Sequence, residues 1–253
     1  MKTKRKRAGS SAHDKPAESA TALAPGKRTR VQAHPKASRP EPNSPEPDEE
    51  SDEDEERTVG DRVPDEVRDR LIEEARRSDR VSSLLDEIEE EDGDDFAVKW
   101  SGQGNFHRSG EIHLDRNRDF DRWVPSFMHE LSHLADYHAD REPDVASEES
   151  REDFVNAKME NEIRAQAITY VGLIEREREN PDEDVSSPAG YDEFREHLDD
   201  EEDDTDSLSA DRIEELAKDW LENKYKDDWT TSNTNENYYD YWGNYWDDVN
   251  EDD

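Results

Sequence analysis

The stretch Phe127-Met128-His129-Glu130-Leu131-Ser132-His133-Leu134-Ala135-Asp136 decides how this chain is read. Trp123, Phe127, Leu131 and Leu134 fall at i, i+4, i+8 and i+11 and form one core-facing stripe. They predict a helix from about Asp121 to Tyr137. On that helix His129 and His133 project from one face, so both imidazoles can reach a single Zn2+ at about 2.0–2.1 Å. Glu130 lies beside the first histidine, within reach of a metal-activated water whose proton it would accept and pass to a leaving amine. That is the physical content of the His-Glu-x-x-His pattern. The competing reading is a surface helix that happens to carry two histidines.

Working outward, Phe96-Ala97-Val98-Lys99-Trp100 and Gly110-Glu111-Ile112-His113-Leu114 alternate as strands do, and Asn105-Phe106-His107 offers a further short one. A hairpin or small antiparallel sheet is the economical expectation. Upstream, Pro64 suits a helix first turn, and Val67, Leu71, Ile72 and Ala75 give helical spacing. A second helix carries Val81, Leu84, Leu85 and Ile88, with Ser78 or Asp79 as its cap. Downstream, a long helix is expected from Arg151 to Glu179, stopped by Asn180-Pro181. Shorter helices are expected over Tyr191–Leu198 and Ala210–Tyr225. The last 25 residues, dense in Tyr, Trp, Asn and Asp, show no evident regular structure.

A hydrolytic zinc site needs a third protein ligand and an open position. His138 lies five residues beyond His133, roughly 140° further round a helix, and points away unless the helix ends there. Asp136 is too close in sequence to wrap back and suits an acceptor behind a ligand imidazole. Glu160 and Glu162 sit on the following helix and face about 200° apart, so only one can point inward. Glu162 is favoured because Ala165, close behind it, lets two helices approach; Glu160 is the alternative. A solvated helix face is the ordinary fate of either glutamate.

Composition bounds the rest. Hydrophobic residues make up 29% and charged residues 42%, so a folded middle with disordered ends is expected. Cysteine is absent, which leaves His, Asp and Glu as metal ligands. The net charge of −38 disfavours nucleic acid as a general partner. It fits either adaptation to high salt or acidic disordered tracts. Residues 1–40 hold 11 Lys/Arg against 2 Asp/Glu, and residues 41–56 hold 10 acids and no base. The basic cluster at Lys2–Arg7 reads first as a solvated leader. No run approaches a membrane span of roughly 18 apolar residues. No apolar segment follows the basic start, so synthesis in the cytoplasm is expected, with any export by a route that reads no secretory signal.

At these residues the chain resembles a gluzincin-type metallopeptidase. His129-Glu130-Leu131-Ser132-His133-Leu134-Ala135-Asp136 is similar to the H-E-L-x-H-A-x-D segment of minimal zincins, with Leu134 where Ala is common. Glu162-Ile163-Arg164-Ala165 resembles the E-[IL]-R-A segment that supplies their glutamate ligand. The order of elements over residues 64–180 also resembles compact metalloprotease effectors that bacteria inject into other cells. The resemblance implies a zinc endopeptidase acting on a protein or peptide, with His129, His133 and Glu162 as ligands and Glu130 as general base. It implies a Tyr or His stabilising the oxyanion, for which Tyr137, His138 and Tyr170 are candidates, and an edge strand pairing with substrate, for which Gly110–Leu114 is the candidate. In the leader, Ala24-Pro25-Gly26-Lys27-Arg28-Thr29 is similar to a P-G-K-R-T stretch near the start of some proteins encoded with extracellular contractile injection systems. That implies a loading tail contacting an injection tube or baseplate.

The expected architecture is therefore α+β, minimal zincin-like and mostly helical, with a small antiparallel sheet and disordered tails. Residues 1–62 form the leader, 63–180 the peptidase domain, 181–228 a helical extension and 229–253 a flexible aromatic and acidic tail. The competing functions are a non-catalytic cargo, tail or binding protein and an intracellular protease of a salt-loving organism. The aromatic residues from Tyr238 to Trp246 suit a partner-recognition segment or incidental disordered sequence.

Overall fold

The fold is mostly helical α+β, as expected, and its organising element is one long buried helix. The structure, a computed structural model, describes residues 59–93, 96–181, 186–202, 204–225, 229–231 and 236–250. The expected leader features at Lys2–Arg7 and Ala24–Thr29 lie outside these residues. In chain order the elements are α1 (Asp65–Arg76), α2 (Asp79–Asp92), β1 (Ala97–Ser101), β2 (Phe106–Arg108), β3 (Glu111–Asp115), α3 (Phe120–His138), α4 (Arg151–Glu179), α5 (Tyr191–Glu201), α6 (Ala210–Trp220) and α7 (Tyr238–Asn250). A 3-10 turn at Thr205–Ser207 and a π-turn at Leu221–Tyr225 flank α6.

Helix α4 is buried on nearly every side and is packed by α2, α3, α6 and α7. Ser150 caps it by accepting a hydrogen bond from the Asp153 amide, and Glu152 and Asp153 stand at its positive dipole end. Gly172 marks its closest approach to its neighbours. A Cβ there would come within 2.9 Å of Val81 and 3.0 Å of the Met128 sulfur. The cap of α2 is Ser78, whose Oγ accepts from the Val81 amide.

The sheet is mixed, with strand order β1-β3-β2, which corrects the antiparallel expectation. Strands β2 and β3 form the hairpin, turning through Ser109 (φ 51°) and Gly110 (φ 78°) as a two-residue primed turn requires. Strand β1 lies on the other side of β3 and runs parallel to it, Val98 opposite Ile112 and Trp100 opposite Leu114. The alternation of β1 and β3 sends these four residues onto α3, where Trp100 packs on Trp123 and Phe96 on Phe127. The segment around residues 60–63 bonds along β1 and covers its outer edge. Strand β3, expected at the edge, is therefore central, and β2 is the edge strand next to the motif helix.

The helical segment expected over 181–228 packs into the same core as the motif helices. Tyr191, Phe194, Leu198, Ile213, Ala217 and Trp220 are all buried. The tail expected to be flexible contains α7, which is a correction with a visible cause. Tyr238, Tyr241, Trp242, Tyr245 and Trp246 stand at i, i+3, i+4, i+7 and i+8, so the segment is an aromatic stripe at helical spacing. Low helix propensity of Asn, Asp and Tyr masks that stripe. Tertiary burial against Phe154 on α4 overrides it. No helix among the described residues is long and apolar enough to cross a membrane.

Candidate metal centre

Helix α3 presents His129 and His133 one turn apart toward α4, and α4 presents Glu162 back toward them. Their donor atoms converge. His129 Nε2 lies 3.1 Å from His133 Nε2, and Glu162 Oε2 lies 3.3 Å and 3.4 Å from the two nitrogens. Four-coordinate binding with each donor about 2.0–2.1 Å from an ion separates donors by about 3.3–3.4 Å. The group therefore has the spacing of three ligands, and it can hold a metal ion. Two imidazole lone pairs this close repel unless a proton or a cation lies between them. Among the described residues no other group of three His or acidic side chains converges in this way.

The electrostatics say the same. Burial opposes charge on His133, but the adjoining Glu162 carboxylate pushes its pKa up to about 9. Burial likewise opposes charge on Glu162, yet both imidazoles hold its carboxyl well below the usual range. A buried carboxylate facing two imidazoles is thus set to keep its negative charge and to attract a positive one. Glu130 is buried beside them. Burial raises its pKa, while the neighbouring imidazoles and the His107 backbone amide work in the opposite direction.

Behind His133 stands a polar chain. His133 Nδ1–H donates to Asn161 Oδ1 at 2.8 Å, leaving Nε2 free to act as a ligand. Asn161 Nδ2 donates to Asp136 Oδ2 at 2.7 Å, and Asp136 also receives Arg164 and, at 2.9 Å, Arg141 Nε. Asp136, expected to contact an imidazole, instead acts one residue further back. It orients Asn161, which orients His133. Sequence reasoning missed Asn161, because its two contacts are made across the α3–α4 crossing. Among the described residues His129 has no such support, and its buried Nδ1 meets no hydrogen-bond partner.

Other candidates fall outside the group. Glu160 is exposed, and His138 ends α3 against Tyr137 without joining the cluster. Tyr170 is a correction. It is fully buried, stacks on Phe194, and donates its hydroxyl to the Ala189 carbonyl at 2.7 Å. Its two-turn separation from Glu162 carries it past the site into the core. Tyr137 does line the cleft, with its ring on His107.

The three donors and Glu130 lie in a cleft of about 800 Å³. One wall is β2, with Phe106, His107 and Arg108; the other is α7, with Tyr238, Tyr241 and Trp242. Burial lowers the His107 pKa to about 4, aided by His133, and its neutral Nε2 accepts from the Gly110 amide. Tyr238, unrecognised from sequence, donates its hydroxyl to Glu162.

No protein-family model, curated protein or solved structure matches this chain. The functional reading accordingly rests on the residues of the cleft.

Proposed function

We propose that the chain is a zinc-dependent endopeptidase. The observation that carries this reading is the convergence of His129, His133 and Glu162 to within 3.1–3.4 Å beside a buried Glu130 in an open cleft. Two imidazole nitrogens and one carboxylate oxygen, with a fourth direction free, form a donor set that suits catalytic zinc. Bound there, the ion would supply Lewis-acid polarisation of water and of a carbonyl.

The chain's own residues supply the rest. Glu130 accepts the proton of the attacking water and passes it to the departing amine. Its burial raises its basicity, which favours the first transfer. Asn161 keeps His133 in the tautomer that offers Nε2 to the ion. Strand β2, the open sheet edge beside the cleft, is suited to pair with an extended peptide. That role passes to β2 from Gly110–Leu114, which is enclosed on both sides.

The experiment is a terminal-peptide screen of a cell lysate with the wild-type chain and Glu130→Gln. New peptide termini should appear with the wild type and be lost with the variant, while the variant keeps its metal. Equal cleavage by both would remove Glu130 from the reaction.

A further inference from the structure

Helix α7 closes one side of the cleft, and several contacts fix where it sits. Trp242, Tyr245 and Trp246 surround the Phe154 ring at centroid distances of 6.2, 6.1 and 5.5 Å. The Lys158 ammonium stands 4.8 Å from the Trp242 ring. Arg151 passes over Gly243, where any Cβ would meet its guanidinium, and reaches Asp247 at 3.2 Å. The first turn of α7 is fixed separately. Thr230 and Asn237 form an antiparallel bridge, the Tyr238 amide donates to the Trp229 carbonyl, and the Tyr238 ring lies 5.2 Å from the buried Trp229 ring.

These anchors place the Tyr238 hydroxyl on Glu162, in the same cleft as His129, Glu130 and His133. The contrast with Tyr170 is informative, because that phenol donates to the Ala189 carbonyl and does not line the cleft.

We propose that α7 is a clasp on the metal-binding group, in which Tyr238 is a positioning residue that holds the Glu162 carboxylate in its ligating orientation. A glutamate side chain is otherwise free about three torsions, and a partner that fixes it lowers the entropy lost when an ion binds. The C-terminal segment thereby becomes part of the metal centre, and affinity for the ion depends on how well α7 is docked. The inference rests on the metal-binding reading of His129, His133 and Glu162, and not on peptidase activity.

The test is the zinc dissociation constant of the full chain, measured by competition with a chromophoric chelator. Cobalt(II) spectra of the same proteins report ligand geometry. Tyr238→Phe keeps the ring and removes the hydroxyl; it should weaken zinc binding about tenfold and alter the cobalt d–d bands. Trp246→Ala, which loosens α7 from Phe154 without touching the cleft, should weaken binding in the same direction. Val249→Ala, at an exposed position of α7 away from the cleft, should change neither. Wild-type affinity and spectrum in Tyr238→Phe would overturn the clasp and leave the metal site standing. A wild-type chain that takes up no zinc or cobalt would overturn both.

Discussion

Two faces meet across the cleft, and they are built differently. The α3–α4 face carries its donors at short, regular separations. His129 and His133 are one turn apart, and Asn161 and Glu162 are adjacent on a single helix. The α7 face reaches the same atoms from 76 residues beyond Glu162, through aromatic docking on Phe154 and Trp229. The first face is specified by helix geometry and is complete as soon as two helices cross. The second exists only after the C-terminal segment has docked, so its contribution should be graded where that of the first is all-or-none.

The sharpest way to break this comparison is to remove one ligand. Glu162→Ala should abolish stoichiometric zinc binding, while Glu160→Ala should leave it unchanged, as metal analysis after dialysis will report. Equal losses in both would assign the third ligand wrongly. A smaller effect is expected one bond further out. Asn161→Ala frees the His133 ring and should weaken zinc affinity by about 10–100-fold without destroying the site. Chelator competition measures it, and the loss should exceed that of Tyr238→Phe only if the α3–α4 face dominates.

The pH dependence probes the β2 wall. His107 titrates at about 4 in the folded chain, against about 6.5 when unfolded. The unfolded state therefore takes up the proton first. The stabilisation is full above pH 6.5, falls as pH drops toward 4, and is worth up to about 3 kcal/mol. Urea unfolding at pH 7.5 and 4.5 should show a larger drop for the wild type than for His107→Gln. The smallest effect on the site is expected from Tyr170→Phe. It removes one buried hydrogen bond to Ala189, costs about 1 kcal/mol of stability and leaves zinc affinity unchanged.

These differences also explain what the sequence made legible. The extents of α3 and α4, and the apolar stripe of Trp123, Phe127, Leu131 and Leu134, follow from a 3.6-residue period. So does the placement of His129 and His133 on one face. Strand existence was legible too, because alternation is local. Strand order was not, since nothing in Gly110–Leu114 itself says that β1 will lie parallel along its other side. The acceptor role of Asp136 is legible because it lies one helical turn beyond Ser132 on the same helix as His133, but the intervening Asn161 cannot be placed without knowing how α3 and α4 cross. Tyr238 was the hardest, because its role depends on a long return of the chain. The aromatic period of α7 was present in the sequence and was hidden by residues that disfavour isolated helices.

The most direct test of the central claim is zinc stoichiometry in the full chain. After reconstitution and removal of free metal, the wild type should retain one equivalent of zinc, and a His129→Ala, His133→Ala double variant should retain none. Less than a tenth of an equivalent in the wild type, or equal zinc in both proteins, would contradict the assignment of His129, His133 and Glu162 as a metal centre.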